Sequence, residues 1–118
     1  MRKIPVEHPG IILQEEFLDE MAISQYALAK ATDIPKTRIH AIVSGDRSIT
    51  PDTALRLSLF FGNSAEFWLN LQKQYDLAQV TDSFTPPKNF MTAKELLSSW
   101  GHSWGQVLQY HNWKLKGA

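Results

Sequence analysis

A chain of 118 residues that is 43% apolar and 20% charged has an ordinary folded composition and a length that supports one hydrophobic core, not two. It has no cysteine, which excludes disulfides, a thiol nucleophile and Cys-ligated zinc and suits a reducing cytoplasm, and it lacks the run of about 18 apolar residues that spans a membrane. Formal net charge is zero, but acids exceed bases by three over residues 1–23 and bases exceed acids by two over residues 24–60, so the larger part of the small basic excess lies on one segment.

The first predicted helix covers residues 9–20. Leu13, Phe17 and Met21 fall at i, i+4 and i+8 facing the core, with the acids on the other side. Five acids in the first 25 residues are incompatible with a signal peptide.

Residues 24–44, SQYALAKATDIPKTRIHAIVS, read as two short helices around a tight turn. Ser24 is a good N-cap, because its hydroxyl can accept an otherwise unpaired N–H of the first turn. Leu28 and Ala29 give a narrow apolar face on which a second helix can pass closely. Asp33 stands where the chain leaves the first helix, a position that often needs positive φ. Pro35 suits the first turn of the next helix, where its missing N–H costs nothing. Ile39, Ile42 and Val43 form one buried stripe on that helix. This is a helix-turn-helix, the recognition motif of many repressors.

Gly45 closes the third helix, and residues 45–48 form a turn. Thr50-Pro51-Asp52 opens a fourth helix with a cap, a proline at its first position and an acid favoured by the dipole. Ala54, Leu55, Leu57, Ser58 and Phe61 are its expected packing face, and Gly62-Asn63 ends it. Ser64 caps a fifth helix with a wide apolar stripe of Phe67, Trp68, Leu71, Tyr75 and Ala78. Residues 79–91 break the pattern, and Pro86-Pro87 marks a linker. Thr92 to Glu95 is a capping box that starts a further helix. Beyond it Leu96, Trp100, Trp104, Val107, Leu108 and Leu115 follow a roughly helical period interrupted by Gly101 and Gly105.

At about 100° per residue, the face of the third helix opposite its buried stripe presents Thr37, Ala41 and Ser44, with His40 beside them and Lys36 and Arg38 on the flanks. Short hydroxyls reach base edges, Ala41 can touch a thymine methyl, and Arg38 can pair with guanine or grip phosphate. Gln25 can clamp backbone or an adenine edge, and Arg47 adds a cation just beyond the helix. The alternative for these residues is a solvated polar face on an ordinary helical hairpin.

The stripe on the fifth helix is open to two readings, intramolecular core or a twofold dimer surface built from Phe67, Trp68, Leu71 and Tyr75. The tail aromatics Trp100, Trp104, Tyr110 and Trp113 suit a small private core or a partner surface. Base stacking on single strands is a third use, for which Lys114 and Lys116 supply few cations. His8, His40, His102 and His111 lack metal-ligand spacing, and there is no HExxH, no Gly-rich phosphate loop and no carboxylate pair in an evident pocket. The sequence therefore predicts no enzyme, no metal and no cofactor.

His8-Pro9-Gly10 at the first helix, ISQYALAKA (23–31), RIHAIVSGDRSIT (38–50), PDTALRLSLFFG (51–62) and EFWLNLQKQYDL (66–77) together resemble the HigA family of antitoxins, within the Xre or Cro/cI-like helix-turn-helix group. The resemblance spans about residues 5–80. It implies an all-α, five-helix Cro/cI-like domain over residues 1–80; the Pro86-Pro87 linker, the capping box and the aromatic period make residues 81–118 a linker and helical, aromatic-rich extension. It further implies a cytoplasmic homodimer that binds double-stranded operator DNA in its own promoter and neutralises a HigB-like toxin, a RelE-like mRNA-cleaving ribonuclease. Gln25, Lys36, Thr37, Arg38, His40 and Ala41 correspond to the family's DNA-facing residues, and the segment from Trp68 to Tyr75 to its dimerisation region. Asp33 departs from the glycine usual at that turn, and the tail after about residue 80 is not part of the family pattern. A stand-alone Xre regulator without a toxin, and a protein-interaction module that no longer binds DNA, are the alternative readings.

Overall fold

The structure, a computed structural model, describes residues 6–101. Expectations for His102, Trp104, Val107, Leu108, Tyr110, His111, Trp113, Lys114, Leu115 and Lys116 lie outside the described residues. Among those described there are six helices and no strand, and no helix is long and apolar enough to cross a membrane. By its internal contacts the chain divides into two units, Met1–Phe84 and Thr85–Ala118.

Helix α1 spans residues 9–21 in three contiguous pieces: an α-helical Pro9–Ile12, a π-helical Leu13–Leu18 and an α-helical Asp19–Met21. Pro9 is its first residue, and His8 caps it by accepting the Gly10 N–H on Nδ1 at 2.9 Å. The π turn corrects the expected core face. A π turn brings residues five apart onto one side, so Leu13 and Leu18 are both fully buried and Met21 is half exposed. Phe17 is partly buried against the core. A Cβ at Gly10 would collide with the Ile42 carbonyl, so α1 lies directly on the end of the third helix.

Helix α2 (Gln25–Thr32) begins as expected, with the Ser24 hydroxyl accepting the Ala27 N–H at 3.0 Å. Asp33 takes the left-handed conformation, φ 56°. Leu28 and Ala29 are buried, and so is Ile34 in the turn. Helix α3 (Lys36–Val43) starts one residue later than the position of Pro35 suggests: Pro35 is the N-cap, with ψ 138°. Its carbonyl accepts the first helical N–H bonds, from Arg38 and Ile39. Ile39 and Ile42 are fully buried, and Val43 packs beside them.

The angle between α2 and α3 is held by a residue from outside the motif. Arg56 donates through one guanidinium nitrogen to the carbonyls of Thr32 at 2.9 Å and Asp33 at 3.2 Å, and through Nε to Asp52 at 3.0 Å. It thus supplies the C-terminal end of α2 with donors that the helix lacks. The charge counted with the basic excess is committed to this turn.

Helix α4 (Pro51–Phe61) is capped by Thr50 and buries Thr53, Ala54, Leu57 and Ser58. Leu55 does not join that face; it is 56% exposed, because two residues before Leu57 is a rotation of about 200°. Helix α5 (Ala65–Ser83) is capped by Ser64. It runs on into the segment read as a break, since residues 79–83 contain neither glycine nor proline, and it ends at Phe84. Trp68 is fully buried and its indole N–H donates to Asn63 at 3.0 Å. Phe17 of α1, Phe61 of α4 and Trp68 of α5 meet with ring centroids 4.8–5.8 Å apart, which ties three helices into one core.

In the second unit, helix α6 (Ala93–Ser99) carries the expected capping box, Thr92 and Glu95 each bonding the other's backbone N–H. It has no buried residue and closes at Gly101, φ 85°.

Candidate nucleic-acid interface

With Ile39 and Ile42 turned inward, α3 must present its other side to solvent. Lys36, Thr37, His40 and Ser44 are exposed, and Arg38 and Ala41 are half-buried. Thr37, Arg38, Ala41 and Arg47 line one shallow depression together with Pro35. Arg47 arrives there because the turn after α3 folds back: the Asp46 and Arg47 N–H groups both donate to the Ala41 carbonyl, at 2.8 and 3.2 Å. A hydroxyl, a methyl and two guanidinium groups around one concavity can meet a base edge in the middle and phosphate at the sides.

Two of the expected contacts are arranged differently. The Ser44 hydroxyl donates to the His40 carbonyl at 2.6 Å, which turns it back along its own helix. Gln25, at the first position of α2, donates its amide N–H to Gln14 at 3.0 Å, and Gln14 donates to Asp19 at 2.7 Å. That chain orients the Gln25 amide from α1.

The loop between α3 and α4 is built on two buried polar side chains that sequence reasoning passed over. Gln72 of α5 accepts the Ile49 N–H at 2.8 Å and donates to Asp76 at 2.9 Å. His8 lies beside Gly45 and meets the edge of the Tyr75 ring at 4.9 Å, with the Arg47 backbone near enough to influence its titration. Since its Nδ1 accepts from Gly10, the other ring nitrogen of the neutral imidazole carries the proton. Burial lowers the His8 pKa from its ordinary value, against the opposing pull of Asp76 and of the Arg47 backbone. The signal that could have found this role is a histidine directly before Pro-Gly at a helix start.

The apolar residues of α5 separate into core and surface. Trp68 is fully buried in the protomer, which for this residue takes the core side of the two readings; it fills the gap between α1 and α4. Phe67, 38% exposed, leans on Phe17 and Trp68. Leu71 packs on the core, and Tyr75 is half-buried against His8. The open apolar surface of the helix instead carries Leu77 and Val80, 63% and 57% exposed. Among the described residues no three His, Cys, Asp or Glu side chains stand close enough to hold a metal ion.

A helix-turn-helix family, HTH_3, matches residues 15–68. Virulence-associated protein I of Dichelobacter nodosus is 52% identical over 75 residues, 64% of this chain and 69% of that one. The solved addiction module antidote protein of the HigA family from Coxiella burnetii is 44% identical, with a TM-score of 0.60 over 71% of this chain and all of its own. The antitoxin HigA of Pseudomonas aeruginosa, solved with the higBA promoter, is 40% identical, with a TM-score of 0.61 over 69% of this chain and 97% of its own.

Proposed function

The chain belongs to the HigA family of Xre-type helix-turn-helix proteins, and from that membership we propose that it is an antitoxin that binds an operator in its own promoter as a homodimer. One observation carries the reading. The exposed side of α3 and the turn after it gather Thr37, Arg38, Ala41 and Arg47 around one concavity, on a fold shared with a HigA solved on promoter DNA. We assign DNA contact to Gln25, Lys36, Thr37, Arg38, His40, Ala41, Ser44 and Arg47. Arg38, Ala41 and Thr37 read bases, and Lys36 and Arg47 hold phosphate. With so few cations per protomer, useful affinity needs two half-sites about one turn apart. The open edges of Phe67, Leu71 and Tyr75, which share one side of α5 at helical spacing, are the surface we assign to the twofold contact.

A mobility shift with the DNA upstream of its own gene, titrated with salt, tests this. Binding that weakens steeply with salt and footprints a palindrome supports the reading; affinity indifferent to sequence removes it. The same family membership supports capture of a HigB-like, RelE-like ribonuclease. Co-expression with the neighbouring reading frame should rescue growth from that frame's toxicity. Failure to rescue leaves a stand-alone regulator.

A further inference from the structure

Gln25 is the one residue of α2 assigned to DNA contact, and its amide is tied to α1. Its Nε2 donates to Gln14 Oε1 at 3.0 Å, and Gln14 Nε2 donates to Asp19 Oδ1 at 2.7 Å. The last member of this chain dictates its polarity. An ionised carboxylate only accepts, so Gln14 turns its NH2 group to Asp19 and its oxygen to Gln25. Gln25 in turn presents its NH2 group to Gln14, because the flipped amide would set oxygen against oxygen. The pairing of Gln14 with Asp19 is a product of the π turn. Residues five apart share a side in that wide turn, and the Asp19 N–H also donates to the Gln14 carbonyl. The turn between α1 and α2 then delivers Gln25 to Gln14. Ala22 takes the left-handed conformation, φ 56°, and the Ile23 N–H closes on the Leu18 carbonyl at 2.9 Å.

From this geometry we infer that Gln14 and Asp19 are positioning residues for DNA recognition, fixing the Gln25 amide so that its second N–H is offered to an acceptor on the duplex. That acceptor is a phosphate oxygen or a purine N7. The inference rests on the proposed DNA face and deepens it. Gln14 and Asp19 touch no nucleic acid; they act through Gln25. One N–H of the Gln25 amide is spent within the protein, and the other, with the carbonyl oxygen, remains for the ligand. A side chain already held in its binding orientation loses less freedom on complex formation than one that must be ordered.

The test is a double-mutant cycle on the full chain, with Kd measured by fluorescence anisotropy on its own upstream duplex well below the melting temperature. Gln25→Ala should weaken binding about tenfold or more. Gln14→Leu removes the acceptor with no change of charge. It should weaken the parent several-fold and add almost nothing in the Gln25→Ala background. Asp19→Asn keeps the shape but can donate as well as accept, so it no longer dictates polarity. It also removes a negative charge, which by itself tightens binding to DNA. That gain is common to both backgrounds and cancels in the cycle, so Asp19→Asn should be less favourable in the parent than beside Gln25→Ala. Equal effects in the two backgrounds, at either position, overturn the relay and leave the DNA face standing. Parental affinity for Gln25→Ala removes Gln25 from that face, and the inference with it. A parent that does not bind its upstream duplex overturns the DNA reading itself. If Gln14→Leu does not fold, Asp19→Asn, at an exposed site, decides alone. Duplexes with single base-pair changes tell the two acceptors apart. A uniform loss in Gln25→Ala identifies phosphate, and discrimination relaxed at one pair identifies a purine N7.

Discussion

Lys36 and Arg38 flank α3 where truncation opens no cavity: Lys36 is exposed, and Arg38 is half-buried with its stem along the depression. Replacing both with alanine should abolish operator binding, each contact being worth about 1–3 kcal/mol, and should flatten the salt dependence. Far-UV circular dichroism should be unchanged, and undiminished affinity at the parent's salt slope would remove α3 as the recognition helix. Gly10 illustrates a residue whose importance is purely spatial. A Cβ there meets the Ile42 carbonyl, a backbone atom that cannot step aside without moving α3. Gly10→Ala should therefore cost about 1–3 kcal/mol, read as a lower urea midpoint, whereas Ala at exposed Gln74 should be neutral.

At the scale of elements, the motif is less self-sufficient than its sequence suggests. The α2–α3 turn has its own signals in Asp33 and Pro35, yet its carbonyls are closed by Arg56 from α4. Arg56→Leu keeps an apolar stem but strands those acceptors, and hydrogen bonds from a charged donor are worth about 1.5–3 kcal/mol. Because the side chain is partly open to water, the lower end of that range is expected, as a drop in melting temperature. No change in melting temperature would mean that solvent satisfies the turn equally well. The π turn of α1 shows a second kind of dependence. Leu18 joins Leu13 at the centre of the core and Met21 leaves it because the wide turn shifts the inward face by one residue, and a strict 3.6-residue count has no means of registering that shift.

At the scale of the molecule, His8 joins α1, the α3–α4 loop and α5, and its titration should be visible in global stability. Its folded pKa lies below its ordinary value. Below about pH 6.5 the unfolded chain therefore takes up a proton that the folded chain refuses, and stability falls as pH falls, levelling off beneath the folded pKa. Denaturation midpoints should drop between about pH 7 and pH 5 in the parent, and the His8-specific part of that drop should vanish in His8→Asn. A parallel profile in both proteins would show that the loss comes from other groups. Deleting residues 92–118 should leave a folded chain that still binds the operator. Every buried hydrophobic side chain among the described residues precedes Phe84, and α6 buries none. A truncated chain that fails to fold would move that boundary.

Local chemistry was legible in the sequence wherever one residue and its near neighbours decide the outcome. The caps at Ser24, Thr50, Ser64 and Thr92, the left-handed Asp33, Pro51 at the head of α4 and the buried stripe of α3 all follow from hydrogen-bond supply and helical period. The exposed row on α3 follows from them, since a helix that buries Ile39 and Ile42 must show Thr37, Ala41 and His40. Tertiary structure decided what depends on partners distant in the chain. It sent Trp68 into the core, because a gap between α1 and α4 needed a side chain of that volume. It spent Arg56 on a turn 23 residues away and used Gln72 to hold the Ile49 end of the loop that carries Arg47. Spacing along a helix says which residues share a face; only the packed neighbours determine whether that face meets water, protein or a backbone carbonyl in need of a donor.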